Sequence, residues 1–147
     1  INLKNMLNVR SFLDHNRKYS VPQNNNLDYN SNSTGAFVYQ GKMILNSDLE
    51  KDLIDHFINW KPYIEKHGLL LLELHTISPI LASENIGKTI TTAYDATHGY
   101  TDQYIIEIDI MLNCGKKAGL FPNLKYQKKY PNSDLATISI NLLKSKE

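Results

Sequence analysis

The sequence predicts an α/β fold, part of a Rossmann-like sheet that ends in a carboxyl-terminal antiparallel hairpin, with helices on both faces. Three observations predict it. A stripe of apolar residues at helical spacing (Leu49, Leu53, Phe57, Trp60, Ile64) runs directly into an unbroken apolar stretch, LLLLELHTI, at 69–77. A second helical pattern follows after a long irregular segment. Two strand-like runs joined by Pro-Asn-Ser-Asp then close the chain.

Each element has a local reason. Residues 7–13, LNVRSFL, carry strand formers and stop at Asp14-His15-Asn16. Residues 20–35 are rich in Asn and Ser and poor in apolar side chains, so they predict a surface loop or insertion. Residues 36–44 predict a hairpin that turns at Gln40-Gly41. Ser47 and Glu50 have the spacing of a capping box, which predicts the start of the first helix. Pro62 predicts a kink and Gly68 a stop. The 69–77 run is apolar on both faces, as in a strand covered on each side. Residues 78–100 show no clean period and predict a long loop with short turns. The second helix is expected over 101–118, with Asp102 in its first turn, Lys116 and Lys117 in its last, and Gly119 after it. Strands are expected at 124–130 and 135–143, antiparallel to each other.

The bulk numbers narrow the function. The chain has 147 residues, enough for a single domain over 1–147 with a real core. A formal net charge of +1 gives no field to draw nucleic acid or an anionic membrane, so neither is an expected partner. No apolar run approaches the ~18 residues of a membrane span. The single cysteine, Cys114, excludes an internal disulfide and fits a reducing, cytoplasmic setting. The chain does not begin with Met, which fits processing or a piece of something longer. There is no GxGxxG, P-loop, GxSxG or CxxC.

Ligands of open α/β sheets bind outside the carboxyl ends of the strands. Two such ends are polar here. One carries Ser11, Asp14, His15 and Arg17, the other Glu73 and His75. The segment 94–103 adds Asp95, His98, Asp102 and Gln103. Imidazole, carboxylate and amide together suit one divalent metal or general acid/base chemistry. Bland roles compete at every position: a strand-end hydrogen bond for His75, the strand-end turn for Asp14 and His15, solvation for His98, and helix-start polarity for Asp102 and Gln103. His56 and His67 read as surface residues, and Cys114 as a small packing residue.

Four runs, VRSFLDHNRKY (9–19), HGLLLLELHT (67–76), TAYDATHGYTDQYIIE (92–107) and ATISIN (136–141), resemble class I S-adenosylmethionine-dependent methyltransferases related to the methyltransferase domains of polyketide-synthase loading modules. The resemblance covers most of the chain outside the Asn-rich insertion. It implies that the chain is the carboxyl-terminal half of the methyltransferase sheet, its fourth to seventh strands. It implies methyl transfer from S-adenosylmethionine, with a malonyl-type or other small acyl acceptor, free or carrier-bound. It implies one Fe or Mn ion with His75 and Gln103 as ligands, cofactor contacts from Ser11 and Asp14, and catalytic roles among His75, His98, Asp14 and His15. The glycine-rich turn and the ribose-binding acidic residue of the family's first half are not in this sequence, so an amino-terminal half or a second copy is the expected partner. The competing reading is a non-catalytic methyltransferase-like module for binding or assembly, and a weaker one is a metal-dependent hydrolase that uses the same His and Asp residues.

Overall fold

The computed structural model of the chain describes residues 2–22, 30–89 and 101–145. Strand β1 (Asn8–Ser11) is followed by a hairpin of β2 (Phe37–Tyr39) and β3 (Lys42–Ile44). Helix α1 (Asn46–Ile64) leads into β4 (Leu69–Leu74), and a short helix α2 (Pro79–Glu84) comes next. Helix α3 (Ile108–Lys117), the two-residue strand β5 (Phe121–Pro122), β6 (Lys128–Tyr130) and β7 (Ile138–Lys144) complete the described order. The main sheet runs β1-β4-β7-β5, and β6 pairs with β7 beyond β5. β1 is parallel to β4, whereas β7 is antiparallel to β4, β5 and β6. The expected α/β class and the closing antiparallel pair are both present.

One face of the sheet holds the core. Leu69 and Leu71 of β4 alternate inward and pair with Leu143 and Asn141 of β7. Phe57 and Ile64 of α1 and Met111 and Cys114 of α3 join the same cluster. Gly115 lies where α3 meets the sheet, and a Cβ there would sit in ordinary contact, 3.4 Å from the Leu120 carbonyl and 3.5 Å from Leu143. α1 and α3 pack on each other. The two long helices thus share this face, where the sequence had suggested coverage of both. Leu70, Leu72 and Leu74 are half-buried on the other face.

Several boundaries differ from the sequence expectation for physical reasons. The hairpin turns where expected, with Gln40 and Gly41 both at positive φ (50° and 77°), as a two-residue type I′ turn requires. The capping box does not form. The helix starts at Asn46, with Leu45 as an N-cap that makes no side-chain bond, because Glu50 is drawn away to accept from Ser31 Oγ and Ser33 N. Pro62 lies inside α1 without ending it. Within the expected loop, Ser78 caps α2 by accepting from Leu81 N, and Pro79 occupies its first turn. The second helix starts at Ile108 rather than near Thr101, since Glu107 is extended (φ −64°, ψ 145°). Residues 104–106 before it are buried and bond to the strand ends instead: Tyr104 N donates to His15 O, and Thr76 N to Ile106 O. Asp102 is therefore not a helix-start residue, and its carboxylate accepts from Gln40 N. α3 does end at Gly119 (φ 79°), whose amide donates to Lys116 O.

Candidate acid/base site at the strand ends

Parallel pairing of β1 and β4 brings their carboxyl ends side by side, with Ser11 opposite Leu72. Phe12 follows in the left-handed region (φ 55°), an uncommon place for a bulky residue, and the chain then folds back over Glu73. Glu73 faces the core side of β4 and is 2% exposed. Its Oε1 lies 2.6 Å from His15 Nδ1 and accepts from Leu74 N at 2.7 Å. Its Oε2 accepts from Asp14 N at 2.7 Å and His15 N at 3.3 Å. Four donors thus converge on one buried carboxylate. Such an anion holds the proton of the facing imidazole on Nδ1, which leaves the Nε2 lone pair free.

Asp14 is buried beside this pair. Arg10 Nε donates to its Oδ1 at 2.7 Å, and His56 Nε2 sits on the same oxygen at 2.7 Å. Burial alone would raise the Asp14 carboxyl. The His56 hydrogen bond and the Arg10 charge outweigh that and hold it below the usual carboxylate range. The Arg10 guanidinium also stacks over Trp60 of α1, 4.8 Å from the ring centre. Arg17 braces the turn from below: it donates to Asp52 Oδ2 at 2.8 Å, Asp14 O at 2.9 Å and Leu49 O at 3.2 Å.

A cavity of about 10 Å³ lies against the pair, lined by Asp14, His15, Glu73, His75, Tyr104 and Met111 among others. Asp14 Oδ2 and the Tyr104 hydroxyl are buried with no hydrogen-bond partner among the described residues, and both residues line this cavity. Burial, reinforced by the charge of Asp102, pushes the Tyr104 phenol up to about 12, so it stays a donor. Both residues share the lining of this cavity with His15.

His75 is placed differently. It is fully buried, with Nδ1 3.3 Å from Ile106 O and Nε2 2.5 Å from Ser139 Oγ. Asn141 Nδ2 donates to the same Oγ at 2.7 Å, so the serine gives its own proton to Nε2, and Nδ1 carries the ring proton toward Ile106. Burial lowers its pKa to about 4, despite the opposing charge of Glu73, and the ring is neutral. Both nitrogens are thereby engaged, which does not fit a metal ligand. Gln103, the other expected ligand, is half-buried, and its backbone amide donates to Thr101 O at 2.5 Å. Among the described residues no group of three or more His, Cys, Asp or Glu side chains has the arrangement to hold a metal ion. Ser11 is exposed on the face of β1 opposite Arg10, away from Asp14. His98 and Asp95 lie outside the described residues.

The structure therefore joins His15 to Glu73 and Asp14 to Arg10 and His56. The chain belongs to the AprA MT2-like methyltransferase domain family. The family's model matches residues 1–141. No curated protein sequence matches the chain. Methyl transfer is the chemistry of this family, and the domain resembles the methyltransferases associated with polyketide synthases. No described helix of the domain is long and apolar enough to cross a membrane.

Sequence reasoning sets one part of this site aside and leaves the placement of two others open. His56 reads as a surface residue, yet it sits four residues after Asp52 on the turn of α1 that faces β1. Glu73 draws notice as a polar strand end, but its partner is not apparent until β1 and β4 are paired. Tyr104 reads as one face of a helix and is instead an extended buried residue. The inward alternation of Leu69, Leu71 and Glu73 is the one signal that places a carboxylate on the core face.

Proposed function

We propose that this domain supplies the acceptor-activating side of an S-adenosylmethionine-dependent methyl transfer, with His15 as general base and Glu73 as the group that orients it. The observation that carries the reading is the His15 Nδ1–Glu73 Oε1 contact of 2.6 Å on a carboxylate held by three backbone amides. A carbon flanked by a carbonyl, or a hydroxyl, gives its proton to His15 Nε2, and the imidazolium so formed is stabilised by the fixed anion behind it. The acceptor's electron pair then takes the methyl group. S-adenosylmethionine, when bound, would supply that methyl from its sulfonium, the C–S electron pair leaving with the neutral thioether. A small acyl acceptor, free or carrier-bound, as in polyketide assembly in the cytoplasm, suits such a base.

The described residues do not fit a complete donor cradle. Asp14 gives Oδ1 to Arg10 and His56 and keeps only a buried Oδ2 on the small cavity, and Ser11 faces away, so neither is assigned to the cofactor. The metal reading does not fit either, for the reason given at His75, and no step runs through a metal. The outer edge of β1 supports a partner that completes the sheet. Val9 on that strand is 59% exposed, and Leu7 and Leu13 beside it about half. That partner is an amino-terminal methyltransferase half or a second copy.

Calorimetry with S-adenosylmethionine tests the reading. Binding by the chain alone means that it builds the donor site itself. Binding only after a glycine-rich amino-terminal half is added means that it is the acceptor half. No binding in either case favours the assembly-module reading, in which the edge pairs without chemistry.

A further inference from the structure

Asp14 connects the His15–Glu73 pair to helix α1. Its backbone amide is one of the donors that fix Glu73 Oε2, and the His15 amide is the next. What holds residue 14 in place therefore also sets the angle at which His15 meets Glu73. Its carbonyl is held by Arg17 at 2.9 Å, while its carboxylate is held on a single oxygen by Arg10 from β1 and His56 from α1. The two contacts on Oδ1 are both 2.7 Å and come from different elements, so together they set the carboxylate's rotamer. Arg10 lies on the same strand as the turn and moves with it. His56 is the one side chain that ties the carboxylate across to α1.

We propose that His56 is a positioning residue for the His15–Glu73 pair, acting through Asp14. The imidazole is not a core filler, since its side chain keeps 22% of its exposure and lines an open pocket with Lys18, Ser20, Asp55 and Asn59. Its removal leaves the Asp14 carboxylate held by Arg10 of β1 alone, with only the carbonyl still on Arg17, and loosens the hold of the 14 and 15 amides on Glu73. The proposal rests on the reading of His15 and Glu73 as the working pair. Its test reads the hydrogen bonds of that pair directly, whether or not methyl transfer depends on them.

The experiment is NMR of the whole chain with nitrogen-labelled histidine, following exchange of the His15 Nδ1 proton and of the Asp14 amide with solvent. The wild type is expected to show both as slowly exchanging protons. In His56→Ala both exchange faster by on the order of tenfold, the equivalent of losing one hydrogen bond to a charged group. His56→Gln, which returns an N–H donor to nearly the same place, restores slow exchange. His56→Phe keeps the ring volume without the bond and behaves like the alanine variant, so it takes that variant's place should the latter not fold. Exchange within about twofold of wild type in a folded His56→Ala or His56→Phe, or fast exchange of both protons in the wild type, overturns the proposal.

Discussion

Replacement of Glu73 by Gln is the sharpest structural test of the site. The native carboxylate accepts from His15 Nδ1 and Leu74 N on one oxygen, and from Asp14 N and His15 N on the other. A glutamine offers one oxygen and one NH2 group. Turned toward Asp14 N and His15 N, its NH2 leaves both of those amides unsatisfied; turned the other way it leaves Leu74 N unsatisfied, because the His15 ring can move its proton to Nε2 and accept at Nδ1. A hydrogen bond to a charged group contributes about 1.5–3 kcal/mol, and a buried donor left unpaired costs about 1–3 kcal/mol. These terms overlap, because the turn at residues 12–15 can relax, so the net loss is about 3 kcal/mol. For a domain of this size each kcal/mol moves Tm by about 2–4 °C, which puts the variant roughly 6–12 °C below wild type. Thermal unfolding followed by circular dichroism measures it. A drop of less than about 2 °C would show that Glu73 is not the shared acceptor of the turn, and the geometry assigned to His15 would fall with it.

Other consequences follow from the same contacts. His75 has a folded-state pKa of about 4 against 6.5 for a free histidine, so the unfolded chain binds the extra proton first. Stability is full above about pH 6.5 and is lost as pH falls toward 4, by roughly 3 kcal/mol from this group. Denaturant titrations of wild type and His75→Gln at pH 7 and pH 4.5 should show the variant less sensitive to pH, and equal sensitivity contradicts the assignment. Arg17 and Asp52 form a buried pair (8% and 5% exposed), so Arg17→Ala should cost about 3–5 kcal/mol in chemical denaturation, and a loss below 1 kcal/mol would place the pair in solvent. At Phe12, with φ of 55°, Gly escapes a left-handed penalty of about 1–2 kcal/mol that Ala still carries. Phe12→Gly should accordingly melt higher than Phe12→Ala, and the reverse order would show that the turn is unstrained.

Much of the fold is legible in the sequence because the decisive signals are local. The Leu49–Leu53–Phe57 stripe gives α1, the apolar run at 69–77 gives β4, and Gln40-Gly41 gives the hairpin turn. Where the reading fails, tertiary contacts override local preference. The spacing of Ser47 and Glu50 favours a capping box, but Glu50 serves Ser31 and Ser33 from a loop far away in sequence. Residues 101–107 carry helical spacing, but the bonds of Tyr104 to His15 and of Ile106 to Thr76 hold that stretch extended. The site was legible only in part. His15, Asp14 and Glu73 stand at strand ends, where α/β sheets place their ligands, and that rule finds them. It cannot tell which carboxylate faces which imidazole, because the pairing depends on the register of β1 against β4 and on the turn at Phe12. For the same reason His75, chosen as a ligand, is engaged with Ser139 and Ile106, while His56, set aside as surface, holds Asp14.

The most direct test of the central claim is transfer of labelled methyl from S-adenosylmethionine to a panel of small acyl thioesters, comparing wild type with His15→Ala in the protein complemented, where needed, by a methyltransferase amino-terminal half. General-base catalysis contributes about 10²–10⁴-fold, so the variant should lose at least about a hundredfold in kcat while still binding the donor. Transfer that survives His15→Ala within a few fold would contradict the account and remove His15 and Glu73 from the chemistry.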